Sequence, residues 1–128
     1  METVLLYNFS GTETGRKLKS VLLKMHVRIK LVEPEQYLEP IGFLAGIKAI
    51  PETKETYTGE GFSDQMLIMR GFTGNRINEL LYLIKKSGIP PIPLKAVITE
   101  YNQYWNSIML HEELMKEHEA MHAAQSEK

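Results

Sequence analysis

The sequence predicts an α+β fold of ferredoxin-like type: two β-α-β units forming a four-stranded antiparallel sheet with helices, plus an extra helix after each half. Three observations predict it. The chain nearly repeats itself, since Val4-Leu5-Leu6-Tyr7-Asn8-Phe9-Ser10-Gly11 and Leu67-Ile68-Met69-Arg70-Gly71-Phe72-Thr73-Gly74 are apolar runs closed by Phe-Ser-Gly or Phe-Thr-Gly. Each copy is one supersecondary unit whose apolar face needs the other. The opening run of each copy is almost continuously apolar, as a strand in the middle of a sheet should be. The second strand of each copy instead alternates or follows prolines, which suits an edge.

In order along the chain, Thr3 to Phe9 is the first strand. Ser10-Gly11-Thr12-Glu13-Thr14-Gly15 is a turn rich in helix-capping hydroxyls. The helix after it carries Leu18, Val21, Leu22 and Met25 at the spacing of one buried face. Val27-Arg28-Ile29-Lys30-Leu31 alternates strictly, as a strand with one wet face does, and its outward charges discourage intermolecular pairing. Pro34 fits the first turn of a helix reaching Ala45, shortened or bent by Pro40 and two glycines. Residues 51–63 read as a flexible connector between copies at about 1–50 and 64–122, within one domain over 1–128.

The second copy starts with a strand from Met66 to Phe72. A helix capped by Thr73 or Asn75 follows, with Ile77, Leu80, Leu81 and Ile84 as its stripe and Gly88 as its end. Ile89-Pro90-Pro91-Ile92-Pro93 is stiff and extended and leads into a strand from Leu94 to Thr99. A last helix is expected from near Glu100 to about Glu119, ahead of a polar tail.

A chain of 128 residues with 43% hydrophobic and 24% charged content holds one core and is neither disordered nor membrane-spanning in composition. Zero cysteines exclude disulfides, thiolate metal sites and a cysteine nucleophile. The N-terminus lacks the layout of a signal peptide, so a cytoplasmic protein is expected, with no membrane partner. A net charge of −1 argues against a general nucleic-acid binder. Arg16, Lys17, Lys19, Lys24, Arg28 and Lys30 nevertheless lie between Thr14 and Val32 with no acidic residue, while Glu112, Glu113, Glu117 and Glu119 crowd the last helix. Such stretches ordinarily face water. The sharper reading is a small anionic ligand on the basic face.

Three groups of residues suggest chemistry. Ser10, Thr12 and Thr14, with Arg16 and Lys17, resemble a phosphate-cradling loop at a helix start. Glu13 would oppose an anion there, and the second copy repeats the turn without the threonines, so the turn reads first as a cap. Flavin is not expected in it, nor any other cofactor. Tyr101, Tyr104 and Trp105 at helical spacing read as core or dimer contacts. His118-Glu119-Ala120-Met121-His122 matches the His-Glu-x-x-His zinc helix, and His111 precedes it by two turns. A catalytic metal needs a supported pocket, which a helix end does not provide. No arrangement of residues points to a catalytic centre.

Gly71-Phe72, the string Ser87-Gly88-Ile89-Pro90-Pro91-Ile92-Pro93-Leu94-Lys95-Ala96-Val97, and the Asn102…Trp105 segment with its Glu-rich end resemble a bacterial family, domain of unknown function 3783, over residues 66–119. The resemblance implies a small cytoplasmic bacterial protein and carries no activity or catalytic residues with it. The expectation is therefore a non-enzymatic binding or protein-interaction module, homodimeric through a sheet edge or the aromatic C-terminal helix. The alternative is a regulatory domain binding an anionic or nucleotide-type ligand at the Ser10–Gly15 turn, and a more distant one is metal binding by His111, His118 and His122.

Overall fold

Thr3–Tyr7 (β1) and Met66–Arg70 (β3) are the two central strands, and both are buried along almost their whole length. The structure, a computed structural model, describes the backbone of residues 2–126 and the side chains of residues 2–121. Arg28–Leu31 (β2) and Leu94–Val97 (β4) flank the central strands in the order β2-β1-β3-β4. The expected division into apolar central and wet or proline-led edge strands is therefore observed.

The expected antiparallel pairing is corrected. β1 runs antiparallel to β3, with Thr3 opposite Arg70 and Tyr7 opposite Met66, but β2 is parallel to β1 and β4 is parallel to β3. The sheet is mixed, not the all-antiparallel sheet of a ferredoxin-like fold. The physical reason is that each crossover returns the chain beside the strand it has just left. Apolar patterning specifies which strands are central; it does not specify whether a returning strand lands next to its predecessor or one place beyond it.

Helix Glu13–Lys24 (α1) and helix Gly74–Lys86 (α3) cover one face. Val4, Leu6, Leu67 and Met69 meet Leu18, Val21, Leu22, Leu80 and Ile84 there. Both helices close with the same motif. Val27 N–H bonds Leu22 C=O across His26, and Ile89 N–H bonds Ile84 C=O across Gly88, with φ of 60° and 76° at the two reversing residues.

The second face is also buried, which strands apolar on both sides require. Leu5, Tyr7, Met66, Ile68 and Leu94 pack against Tyr37, Ile41, Leu44, Leu110 and Leu114. Tyr37 follows the 3-10 turn at Pro34–Gln36, and the others come from the short helix Ile41–Leu44 (α2) and the long helix Ser107–Ser126 (α4). The segments after each β-α-β unit thus complete the core, and helices lie on both faces of the sheet. The two segments also pair with each other: Ile41 N–H bonds Trp105 C=O and Ser107 N–H bonds Tyr37 C=O.

One expected helix is shorter than its sequence pattern, and another begins and ends about seven residues later than expected. The stretch from Pro34 divides into a 3-10 turn at Pro34–Gln36 and α2, because Pro40 interrupts it. The stretch from Glu100 forms a 3-10 turn at Asn102–Tyr104 and passes through an extended Trp105 before α4 begins. No helix among the described residues is long and apolar enough to cross a membrane.

Candidate functional site

The hydroxyl-rich first turn serves as a cap. Thr12 Oγ1 accepts from Gly15 N–H at 2.9 Å and donates to Phe9 C=O at 2.7 Å. Glu13 stands over the helix start, 3.8 Å from both Arg16 and Lys17. The cationic pair is thus already faced by a carboxylate, and the Thr12 hydroxyl has both its partners inside the chain. Ser10 is exposed and Thr14 half-buried, and neither lines the shallow hollow formed here by Phe9, Gly11, Arg16, Lys19 and Leu23. Of the five candidate residues, spread over the turn and the start of α1, only Thr12 and Arg16 line this hollow, so the structure does not converge the set on one cavity. The corresponding turn after β3 lies at the opposite end of the sheet, because the two central strands are antiparallel.

Tyr101 and Tyr104 are 86% and 65% exposed, whereas Trp105 is half-buried against the second-face core. They belong to a 3-10 turn and its end, not to a helical stripe. His111 stacks on Phe62 with ring centres 3.9 Å apart, and its Nε2 lies 2.9 Å from Asp64 Oδ2. His118 lines a cleft with Asp64, Gln65, Pro93 and Met115, and the side chain of His122 lies outside the described residues. Among the described residues no three metal-binding side chains come together.

Beneath the His111 stack, Phe62 also stacks on Tyr37 at 4.7 Å, and Tyr7 packs beside both rings. Tyr7 Oη shares a 2.6 Å hydrogen bond with Ser107 Oγ, and burial pushes its pKa well above the usual tyrosine value. These hydroxyls are sealed in the core and out of reach of a substrate.

Two grooves were missed by sequence reasoning. The first lies between α3 and β4. Gly88 turns the chain back, Ile89 and Ile92 bury under it, and the proline-rich strap leaves a cavity of about 430 Å³ lined by Leu81, Ile84, Ile89, Pro91 and Ile92. Lys85 and Lys95 are its charged members. Lys95 is half-buried, its ammonium donates to Ile92 C=O, and burial holds its pKa below the ordinary value of 10.5. Among the described residues no carboxylate lies within 4.0 Å of either lysine. The available signal was the alternation Leu94-Lys95-Ala96-Val97, which turns Lys95 toward the α3 side.

The second groove lies between the β2 edge and α2, with a volume of about 400 Å³. Arg28, Lys30, Thr3 and Gln36 line it together with Phe43–Gly46 and Glu52. Its signal was the same alternation in β2, where the basic side chains read as edge protection and as part of a basic face.

The fold and its grooves describe a small three-layer α+β domain with ligand-sized hollows on both faces. Residues 65–121 match a family model described as domain of unknown function (DUF3783), so this segment, from the start of β3 into α4, resembles that family. No curated protein and no solved structure matches the chain. The groove between α3 and β4 is built entirely from residues 81–95, inside the matched segment.

Proposed function

We propose that the chain is a non-catalytic binding module whose ligand is a small amphipathic anion, an alkyl or aryl carboxylate, held between α3 and β4. The carrying observation is a desolvated lysine with no counter-charge among the described residues, in an apolar cavity of about 430 Å³. That size and lining suit a small molecule. Five apolar side chains would take the hydrocarbon part. A carboxylate would restore to Lys95 the charge partner that burial has denied it, and Lys85 would add to the attraction.

Titration of octanoate against the full chain, read by calorimetry and melting, tests this reading. Binding should raise the melting temperature, and Lys95→Met should keep the fold while weakening octanoate about tenfold, a loss of about 1.4 kcal/mol. Octanol should bind no better to the wild type than to the variant. The pH sign follows from Lys95: the carboxylate needs its ammonium form, so affinity is full at neutral pH. It falls as pH rises through the lowered lysine value, before the 10.5 of an ordinary lysine. Equal octanoate affinity in wild type and Lys95→Met would overturn the proposal.

A second reading is favoured by the exposure of Tyr101 and Tyr104, with Met109 nearby in sequence at 47% exposed. We infer a homodimer contact there, since aromatic and methionine side chains are enriched in interface centres. Tyr101→Ser/Tyr104→Ser should shift a dimer to monomer in sizing with light scattering, and a wild type that is already monomeric at about 100 μM would remove the reading. We also read residues 1–50 and 64–122 as copies of one unit, on the strength of their shared β-α-β order and matching helix ends.

A further inference from the structure

We propose a second binding site, in the groove between β2 and α2, for a small zwitterion of free amino acid or dipeptide type. It is built from the first half of the chain and the connector, and it stands or falls independently of the groove between α3 and β4.

The cationic wall follows from strand alternation and register. Arg28 pairs with Thr3 across the parallel ladder, and Thr3 pairs with Arg70 across the antiparallel one. Thr3 is 2% exposed and forms the floor, with Arg28 beside it on β2; Arg70, beside Thr3 on β3, does not line the groove. Lys30, two residues on, projects to the same side of β2. Among the described residues neither Arg28 nor Lys30 has a carboxylate within 4.0 Å.

The anionic wall is Glu52. It lines this groove and also an adjoining hollow that carries Glu35 and Glu55. Its place is fixed by its neighbours. The buried Glu39 carboxylate accepts Thr53 N–H at 2.7 Å, Thr53 Oγ1–H at 2.9 Å and Lys54 N–H at 3.2 Å. On the other side, Ile50 is buried. The groove thus keeps charges of both signs on separate walls, neither with an ion-pair partner among the described residues.

A simple anion drawn to Arg28 and Lys30 would be repelled by Glu52, and a simple cation would meet the reverse. A molecule with a carboxylate at one end and an ammonium at the other satisfies both walls. The cavity of about 400 Å³ lies in the range that small-ligand sites occupy.

Calorimetric titration of the full chain with diglycine, and separately with inorganic phosphate and with methylammonium, tests the proposal. Diglycine should bind with a millimolar or better constant, more tightly than either single-charge probe. Arg28→Gln/Lys30→Gln and Glu52→Gln, all at wet positions, should each weaken diglycine about tenfold. Octanoate binding should be unchanged in them. Absence of any heat with diglycine at about 10 mM would overturn the site. Phosphate binding more tightly than diglycine, and more tightly still to Glu52→Gln, would make it an anion site and overturn the zwitterion assignment. The wild-type comparison of the three probes decides the matter even if a variant folds poorly.

Discussion

At Gly15 the first turn of α1 passes close to the Phe9 backbone, just after β1. A Cβ there would sit 2.1 Å from Phe9 C=O, a backbone atom that cannot swing aside. Gly15→Ala should therefore force the helix off its seat and lower stability by about 2–3 kcal/mol, measured by urea unfolding. An unchanged midpoint would mean that the helix start shifts freely. The two deepest tyrosines make a sharper contrast, because their hydroxyls differ in hydrogen bonding. Tyr7 shares its hydroxyl with Ser107, whereas the Tyr37 hydroxyl, buried near the Asn8 amide, has no partner at full hydrogen-bond geometry among the described residues. Removing a buried hydroxyl that is poorly bonded relieves a desolvation cost, while removing a well-bonded one leaves its partner stranded. Tyr37→Phe should raise stability by about 1 kcal/mol and Tyr7→Phe should lower it by about 1–2 kcal/mol. Equal shifts in one direction would refute this difference.

Elements are tied together at Arg76, the third residue of α3. Its guanidinium bonds Glu2 just before β1 at 2.6–2.8 Å, Met25 C=O at the end of α1 at 2.6 Å, and Glu79 on its own helix at 3.1 Å. A cation at the C-terminal carbonyls of α1 also suits the helix dipole. The hydrogen bonds from Arg76 hold the Glu2 carboxyl below its ordinary value of 4.5. A carboxyl whose folded-state pKa is depressed stabilises the fold above the unfolded value and loses that contribution as pH falls through the folded one. Melting curves of wild type and Glu2→Gln should thus be furthest apart above pH 4.5 and converge in stronger acid; a gap that stays constant with pH would exclude the linkage. Nothing in the sequence announces this cross-tie, since Glu2 and Arg76 are 74 positions apart. What local sequence does carry is visible in the same elements. The continuous apolar runs at Val4–Tyr7 and Leu67–Met69 mark strands buried on both faces, and Thr73 and Gly88 bound α3. Pro40 and Trp105 show the limit. Pro40 announces a break locally, but the bridge between Pro40 and Asn106 is a long-range contact with no local pattern, and nothing near Trp105 marks its extended backbone. Both grooves were illegible for the same reason: Lys95 and Arg28 lie on readable alternating strands, but the walls facing them come from other segments.

At the scale of the molecule, the segment that resembles a known family is not a complete layer structure. Residues 65–121 contain β3, α3, β4 and much of α4, but not β1, which pairs with β3 along all five of its residues. Without β1, the inner edge of β3 presents unpaired backbone beside the apolar side chains of Met66 and Ile68, and a long apolar edge is a template for another strand. The full chain indicates which strand would serve. β1 and β3 are apolar, of equal length and antiparallel, and each is followed by a parallel partner on its outer side. A second β3, also antiparallel, would occupy the position of β1 and bring its own β4 to the position of β2. The isolated fragment 64–128 should therefore fold only as a two-fold dimer, with a melting temperature that rises with protein concentration and a mass of two fragments in sedimentation. Adding fragment 1–63 should displace one copy and restore the mixed pair. If fragment 64–128 melts cooperatively as a monomer, the sheet does not depend on β1, and the division of the core between the two halves is other than the β1–β3 ladder implies.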